Sequence, residues 1–74
     1  MEIAQHISVN TNVRFGKPVI TGTRVPVDLI VGKLAGGMSY EEVMREYALC
    51  HNDILAALRY AADTLASEEM RMVG

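Results

Sequence analysis

The chain has 74 residues, half of them hydrophobic, with nine acidic and seven basic side chains and a net charge of −2. That length excludes more than one domain, and a chain so short buries only about 60% of its unfolded surface, so the core is small. No apolar run approaches the roughly 20 residues of a membrane span, Met1 to Val9 lacks the basic start and apolar stretch of a signal peptide, and the single Cys50 excludes an internal disulfide; a cytoplasmic protein is expected.

His6-Ile7-Ser8-Val9 alternates polar and apolar side chains, which predicts a short strand, and Asn10-Thr11-Asn12 supplies the turn that ends it. The run Gly16-Lys17-Pro18-Val19-Ile20-Thr21-Gly22-Thr23-Arg24-Val25-Pro26-Val27 follows. Gly16 and Gly22 can adopt positive φ, while Pro18 and Pro26 fix φ near −65° and hold Lys17 and Val25 extended. β-branched Val19 and Ile20 suit a second strand, so the run delivers a strand into a tight turn with Arg24 at its tip. Two strands alone are marginal in water and must lie on helices or pair with another copy.

Val27, Ile30, Val31 and Leu34 fall at helical spacing, with Pro26 near the first turn, Asp28 at the positive end and Gly36-Gly37 as the stop. Ser39-Tyr40-Glu41-Glu42 matches a capping box and predicts a second helix to about Glu46, with Val43 and Tyr47 on one side. After a break at Ala48 to His51, Ile54, Leu58, Ala61 and Leu65 mark the inward side of a third helix reaching about Ser67. The predicted class is mostly α, small α+β, in a single domain over 1–74. A β-hairpin and turn span 6–26, three helices in a helix-turn-helix arrangement span 27–67, and a flexible tail spans 68–74. Phe15 and Tyr40, Tyr47 and Tyr60 are the only aromatic residues, so the core is aliphatic, and so small a core favours self-association.

The glycine-threonine-arginine-x-proline-valine core of this run, with Leu34-Ala35-Gly36-Gly37-Met38-Ser39, Glu41-Glu42-Val43, Tyr47-Ala48-Leu49, Asp53-Ile54 and Ala56-Ala57-Leu58-Arg59-Tyr60-Ala61, resembles the small prokaryotic family called domain of unknown function 433. The likeness spans Ile7 to Ala66. It implies a homeodomain-like or winged-helix-like helix-turn-helix domain, often a dimer, acting as an antitoxin-like partner of a PIN-like nuclease encoded beside it. The family usually has threonine where Cys50 stands. A thiol caps a helix poorly, so Asn52 or Asp53 is expected to take over and shift the start of the third helix by a residue or two.

The charge is split along the chain. Up to Gly36, Arg14, Lys17, Arg24 and Lys33 outweigh Glu2 and Asp28, giving +2; from Gly37 onward three arginines face seven acids, giving −4. A polyanion would meet the first half through Arg14, Lys17 and Arg24. Arg24 has two readings: it holds a phosphate with the free amides of the first helix, or it staples its own turn through Asp28, Glu42 or backbone carbonyls. The outer side of the third helix carries Asn52, Asp53, Ala56, Arg59, Tyr60 and Asp63. Asn52 and Arg59 are side chains that read base edges, but the acids oppose phosphate. The alanines and Tyr60 suit protein contact instead, so Ala56, Tyr60 and Asp63, with Ile7, Val9 and Val19 of the hairpin, are the candidate partner or dimer interface.

Cys50 and His51 lack the base and orienting group that a nucleophile needs, and with His6 they give too few ligands for a metal. Glu41, Glu42 and Glu46 form an acidic cluster on a helix surface that Arg45 and solvent balance. No cofactor, metal or catalytic residue is assigned, and a non-enzymatic protein is expected. Three functions stay open: an antitoxin-like domain that neutralises a nuclease and also binds its own promoter, a DNA-binding regulator without a toxin partner, and a dimerisation scaffold without DNA affinity.

Overall fold

Three strands and three helices form in the computed structural model, which describes the backbone of residues 1–73 and the side chains of residues 1–68. β1 (Glu2–Ala4), β2 (Ile7–Ser8) and β3 (Val19–Ile20) make an antiparallel sheet in that order. The pairing of β2 with β3, Ile7 opposite Ile20 and Ser8 opposite Val19, is the hairpin expected from the sequence. β1 adds a strand that alternation did not predict. It forms because the chain reverses at His6, whose φ is +65°, and because Glu2 accepts the His6 amide at 2.9 Å. Met1 and Val9 extend this ladder, the Met1 ammonium donating to the Val9 carbonyl at 3.0 Å and the Val9 amide to the Met1 carbonyl at 2.9 Å.

The connector after β3 folds back against it. The Ile20 amide donates to the Val25 carbonyl at 3.0 Å, Val19 bridges Pro26, and the Val27 amide donates to the Pro18 carbonyl at 3.0 Å. Gly22 turns the chain at φ +82°, a conformation glycine adopts freely. Thr23 locks the turn: its hydroxyl donates to the Ile20 carbonyl at 2.8 Å and accepts the Val25 amide at 3.0 Å.

α1 (Val27–Ala35) starts after Pro26. It ends at Gly36-Gly37, where the Gly37 amide reaches the Leu34 carbonyl and the Met38 amide reaches that of Lys33, closing the last turn in the Schellman manner. α2 (Tyr40–Tyr47) carries the expected capping box, with the Ser39 amide on Glu42 Oε1 at 2.8 Å and the Glu42 amide on Ser39 Oγ at 3.1 Å. Ala48, left-handed at φ +55°, stops α2, and the turn 48–50 leads into α3 (His51–Val73). α2, this turn and α3 form the helix-turn-helix, and α3 is the element that packs across α1, α2 and β2. No described helix is long and apolar enough to cross a membrane.

Ile7, Ile20, Val27, Ile30, Val43, Leu49, Ile54 and Ala57 form one buried cluster, so the sheet does lie on the helices. α3 departs from its predicted inward side. Ile54 and Ala57 are fully buried, Leu58 and Ala61 are only partly so, and Leu65 is 64% exposed. Its spacing continues the apolar stripe, but no described element of the chain extends far enough to cover it. α3 also continues past Ser67 through the segment expected to fray, which holds neither glycine nor proline before Gly74. Gly74 lies outside the described residues.

Candidate functional site

The start of α3 is pinned by one carboxylate. Asp53 Oδ2 accepts the Cys50 amide at 3.1 Å, and Oδ1 lies 3.4 Å from His6 Nδ1. Asp53 thus supplies the reach-back half of a capping box to the Cys50 amide and does not become the cap itself, so the expected shift of the helix start is not seen: Cys50 remains the flanking residue and His51 the first helical one. The same contacts turn Asp53 toward the sheet, so it leaves the outer side on which the sequence placed it. His51 stacks at a tilt on Tyr40, with ring centroids 5.7 Å apart. The Cys50 thiol is exposed, and among the described residues no group of three His, Cys, Asp or Glu side chains lies close enough to hold a metal ion.

Between the β1–β2 turn and α3 runs a groove of about 350 Å³. Ala4, Gln5 and His6 form one wall; Asn52, Leu55, Ala56, Arg59, Tyr60 and Asp63 form the other. A shallower hollow continues it along α3 past Asp63 and Thr64 to Glu68. The structure therefore gathers the two base-reading candidates of α3, Asn52 and Arg59, and the three contact candidates, Ala56, Tyr60 and Asp63, onto one face. Leu55, 45% exposed, joins them. Sequence reasoning missed it because it lies off the expected stripe; its signal was an apolar residue between two polar positions of the outer side.

The other candidates lie elsewhere. Ile7 and Val19 are both buried and offer no surface: Ile7, opposite Ile20, packs in the core cluster, whereas Val19, opposite Ser8 on the other face of the sheet, is bridged by Pro26 of the connector. Val9 is half-buried with its backbone tied to Met1. Lys17 Nζ sits 2.9 Å from Asp28 Oδ2, both side chains being exposed. That bond, with the Lys17 charge, the Leu29 amide and the Arg14 charge, holds the Asp28 carboxyl below its ordinary value. The Ser39 amide does the same for Glu42.

Neither carboxylate is therefore Arg24's partner, and the expected staple through Asp28 or Glu42 is not made. Thr23 fills that role, and Arg24 points away from the core, exposed. The phosphate cradle is also reduced, because the Val27 amide is spent on the Pro18 carbonyl. Arg14 is exposed in a tight turn over Arg14–Gly16, whose three residues all have positive φ: +52°, +57° and +82°.

A model of the family described as protein of unknown function (DUF433) matches residues 7–61. Comparison with curated proteins returns no match. Among solved structures, a DUF433 member protein from Anabaena variabilis ATCC 29413 superposes with a TM-score of 0.77 at 24% identity, over 93% of this chain and 69% of that one. At that identity the likeness concerns the fold. The family match over most of the chain, on the residues that build the connector, the capping box and the start of α3, decides the affiliation: this chain belongs to the DUF433 family.

Proposed function

We propose that this protein is a non-enzymatic antitoxin-like domain that grips a cognate PIN-like nuclease with the outer face of α3 and so restrains it. The observation that carries this reading is the groove beside α3. It combines exposed Leu55 with Ala4, Ala56 and Tyr60, and its charged side chains, Arg59 and Asp63, are of opposite sign. An apolar floor with an aromatic and a few rim charges suits a protein partner. The role of the partner rests on the resemblance to a family regarded as antitoxin-like.

Coexpression with the nuclease encoded beside it tests the reading. The two products should copurify, and Leu55→Glu should abolish capture while leaving the fold intact, because Leu55 is on the surface. Failure of the unmodified pair to associate contradicts it.

A second reading, regulation of its own promoter, draws on Asn52 and Arg59 sharing the groove. Asp63 and Glu68 beside them repel phosphate. Salt-dependent binding to the upstream DNA, lost in Asn52→Ala and Arg59→Ala with the fold retained, favours this second reading.

A further inference from the structure

Arg14, Phe15 and Gly16 form three consecutive left-handed residues, two of them non-glycine. A side chain with a Cβ is disfavoured there. Strain of this kind persists where surrounding contacts fix it or where the displayed group has a use. The backbone contacts are present: the Asn12 amide meets Asn10 Oδ1, the Val13 amide the Asn10 carbonyl, the Gly16 amide the Val13 carbonyl and the Lys17 amide the Arg14 carbonyl. The Phe15 ring gains nothing from them. It is the most exposed large apolar side chain described, with no shielding from its own chain, and Arg14 beside it makes no ion pair among the described residues. The turn therefore holds out an aromatic ring with a cation at its base.

The same molecule carries a receptacle of matching chemistry. The groove beside α3 has an apolar floor of Leu55, Ala56 and Tyr60 and enough volume for an aromatic side chain; its far end, at Asp63 and Glu68, is acidic. Arg59 balances Asp63 within the groove, but the hollow that continues it is bordered by Asp63 and Glu68 with no basic residue among its described lining, so that end attracts the Arg14 beside Phe15.

We propose that the Phe15 tip of one chain seats in the α3 groove of a second copy, with Arg14 toward Asp63 and Glu68, and that the second copy's tip returns the contact. A reciprocal exchange closes into a two-fold dimer, whereas a one-way contact would propagate into open chains. The groove is the one assigned above to the nuclease, so self-association masks that surface until the nuclease displaces the second copy. The dimer stands apart from the nuclease reading, because its readout is the size of this chain alone.

Sedimentation equilibrium of the full chain at high micromolar concentration tests the exchange. The expected result is a dimer that weakens with added salt. Phe15→Ser and Leu55→Glu should each raise the dissociation constant at least about tenfold, with helical circular dichroism unchanged since both positions are exposed. An equimolar mixture of the two variants should associate more tightly than either alone, because each supplies the half the other lacks. A monomeric unmodified chain, open-ended assemblies, or a dimer indifferent to Phe15→Ser overturns the proposal. Should nuclease capture also be measured, Phe15→Ser leaves it intact while Leu55→Glu removes it, which separates failure of the dimer from failure of the nuclease reading.

Discussion

The two ends of α3 are built from similar residues and live in different worlds. From His51 to Ala61 the helix is anchored: Asp53 fastens its first turn to Cys50 and His6, and Ile54 and Ala57 sit in the core. From Ala62 to Glu68 every residue is exposed, Leu65 included. The family match ends at the same place, residue 61. The contrast teaches that burial within the chain stops near Ala61, and that over residues 62–68 no described element covers the helix.

Substitution within each half sharpens that contrast most. Ile54→Ala should cost about 2–5 kcal/mol, since it opens a cavity in a fully buried site, whereas Leu65→Ala should change stability by no more than about 0.5 kcal/mol; urea midpoints of the two variants measure both. Equal losses would show that the far half is packed after all. Next in size, Asp53→Ala should lose about 1–2 kcal/mol, because the Cys50 amide and His6 both lose a partner. Thermal unfolding detects this.

Ala48→Gly acts in the opposite direction. At φ +55° a glycine is unstrained, so the variant should be more stable by about 0.5–1 kcal/mol despite the greater freedom of its unfolded chain. A drop in melting temperature would mean that the Ala48 methyl group contributes packing at the turn.

The smallest effect concerns acid. Asp28 and Glu42 are held below their ordinary values of 3.8 and 4.5, so each contributes stability that is fully present above those values and fades as pH falls through the lower folded ones. Asp28 is largely exposed, so its share is small. Lys17→Gln should lower stability slightly at pH 7 and converge with the unmodified chain once Asp28 is protonated, so that the acid limb of its stability-versus-pH curve is flatter. A variant with the same acid limb as the unmodified chain would show that the Lys17–Asp28 contact is not held in solution.

Much of this was legible in the residues. The capping box, the glycine stop of α1, the β2–β3 pairing and the doubly proline-fixed connector follow from local backbone preferences, which the sequence carries directly. What escaped it depends on which surfaces meet. Leu65 keeps the helical period, but burial needs a neighbour, and none among the described elements reaches it. Ala57 is central, yet an alanine gives no hydrophobic signal strong enough to separate it from Ala56 and Ala61. β1 has no alternation of its own and exists because β2 offers an edge. At the candidate site, Asn52, Ala56, Arg59, Tyr60 and Asp63 were found by helical periodicity alone. Leu55 and the His6 wall were not, because the wall comes from a turn 46 residues earlier than Asn52 in the chain. Thr23 escaped for a simpler reason: a threonine hydroxyl that bonds its own turn looks, in sequence, like any polar loop residue.

Amide hydrogen exchange along α3, in the free chain and in complex with the coexpressed nuclease, bears most directly on the claim that the outer face of this helix is a grip. The expected result is slow exchange around Ile54 and Ala57 in both states and fast exchange over residues 62–68 that becomes slow only in the complex. A complex that forms while residues 62–68 keep exchanging as in the free chain, with new protection confined to the connector or to α1, contradicts it.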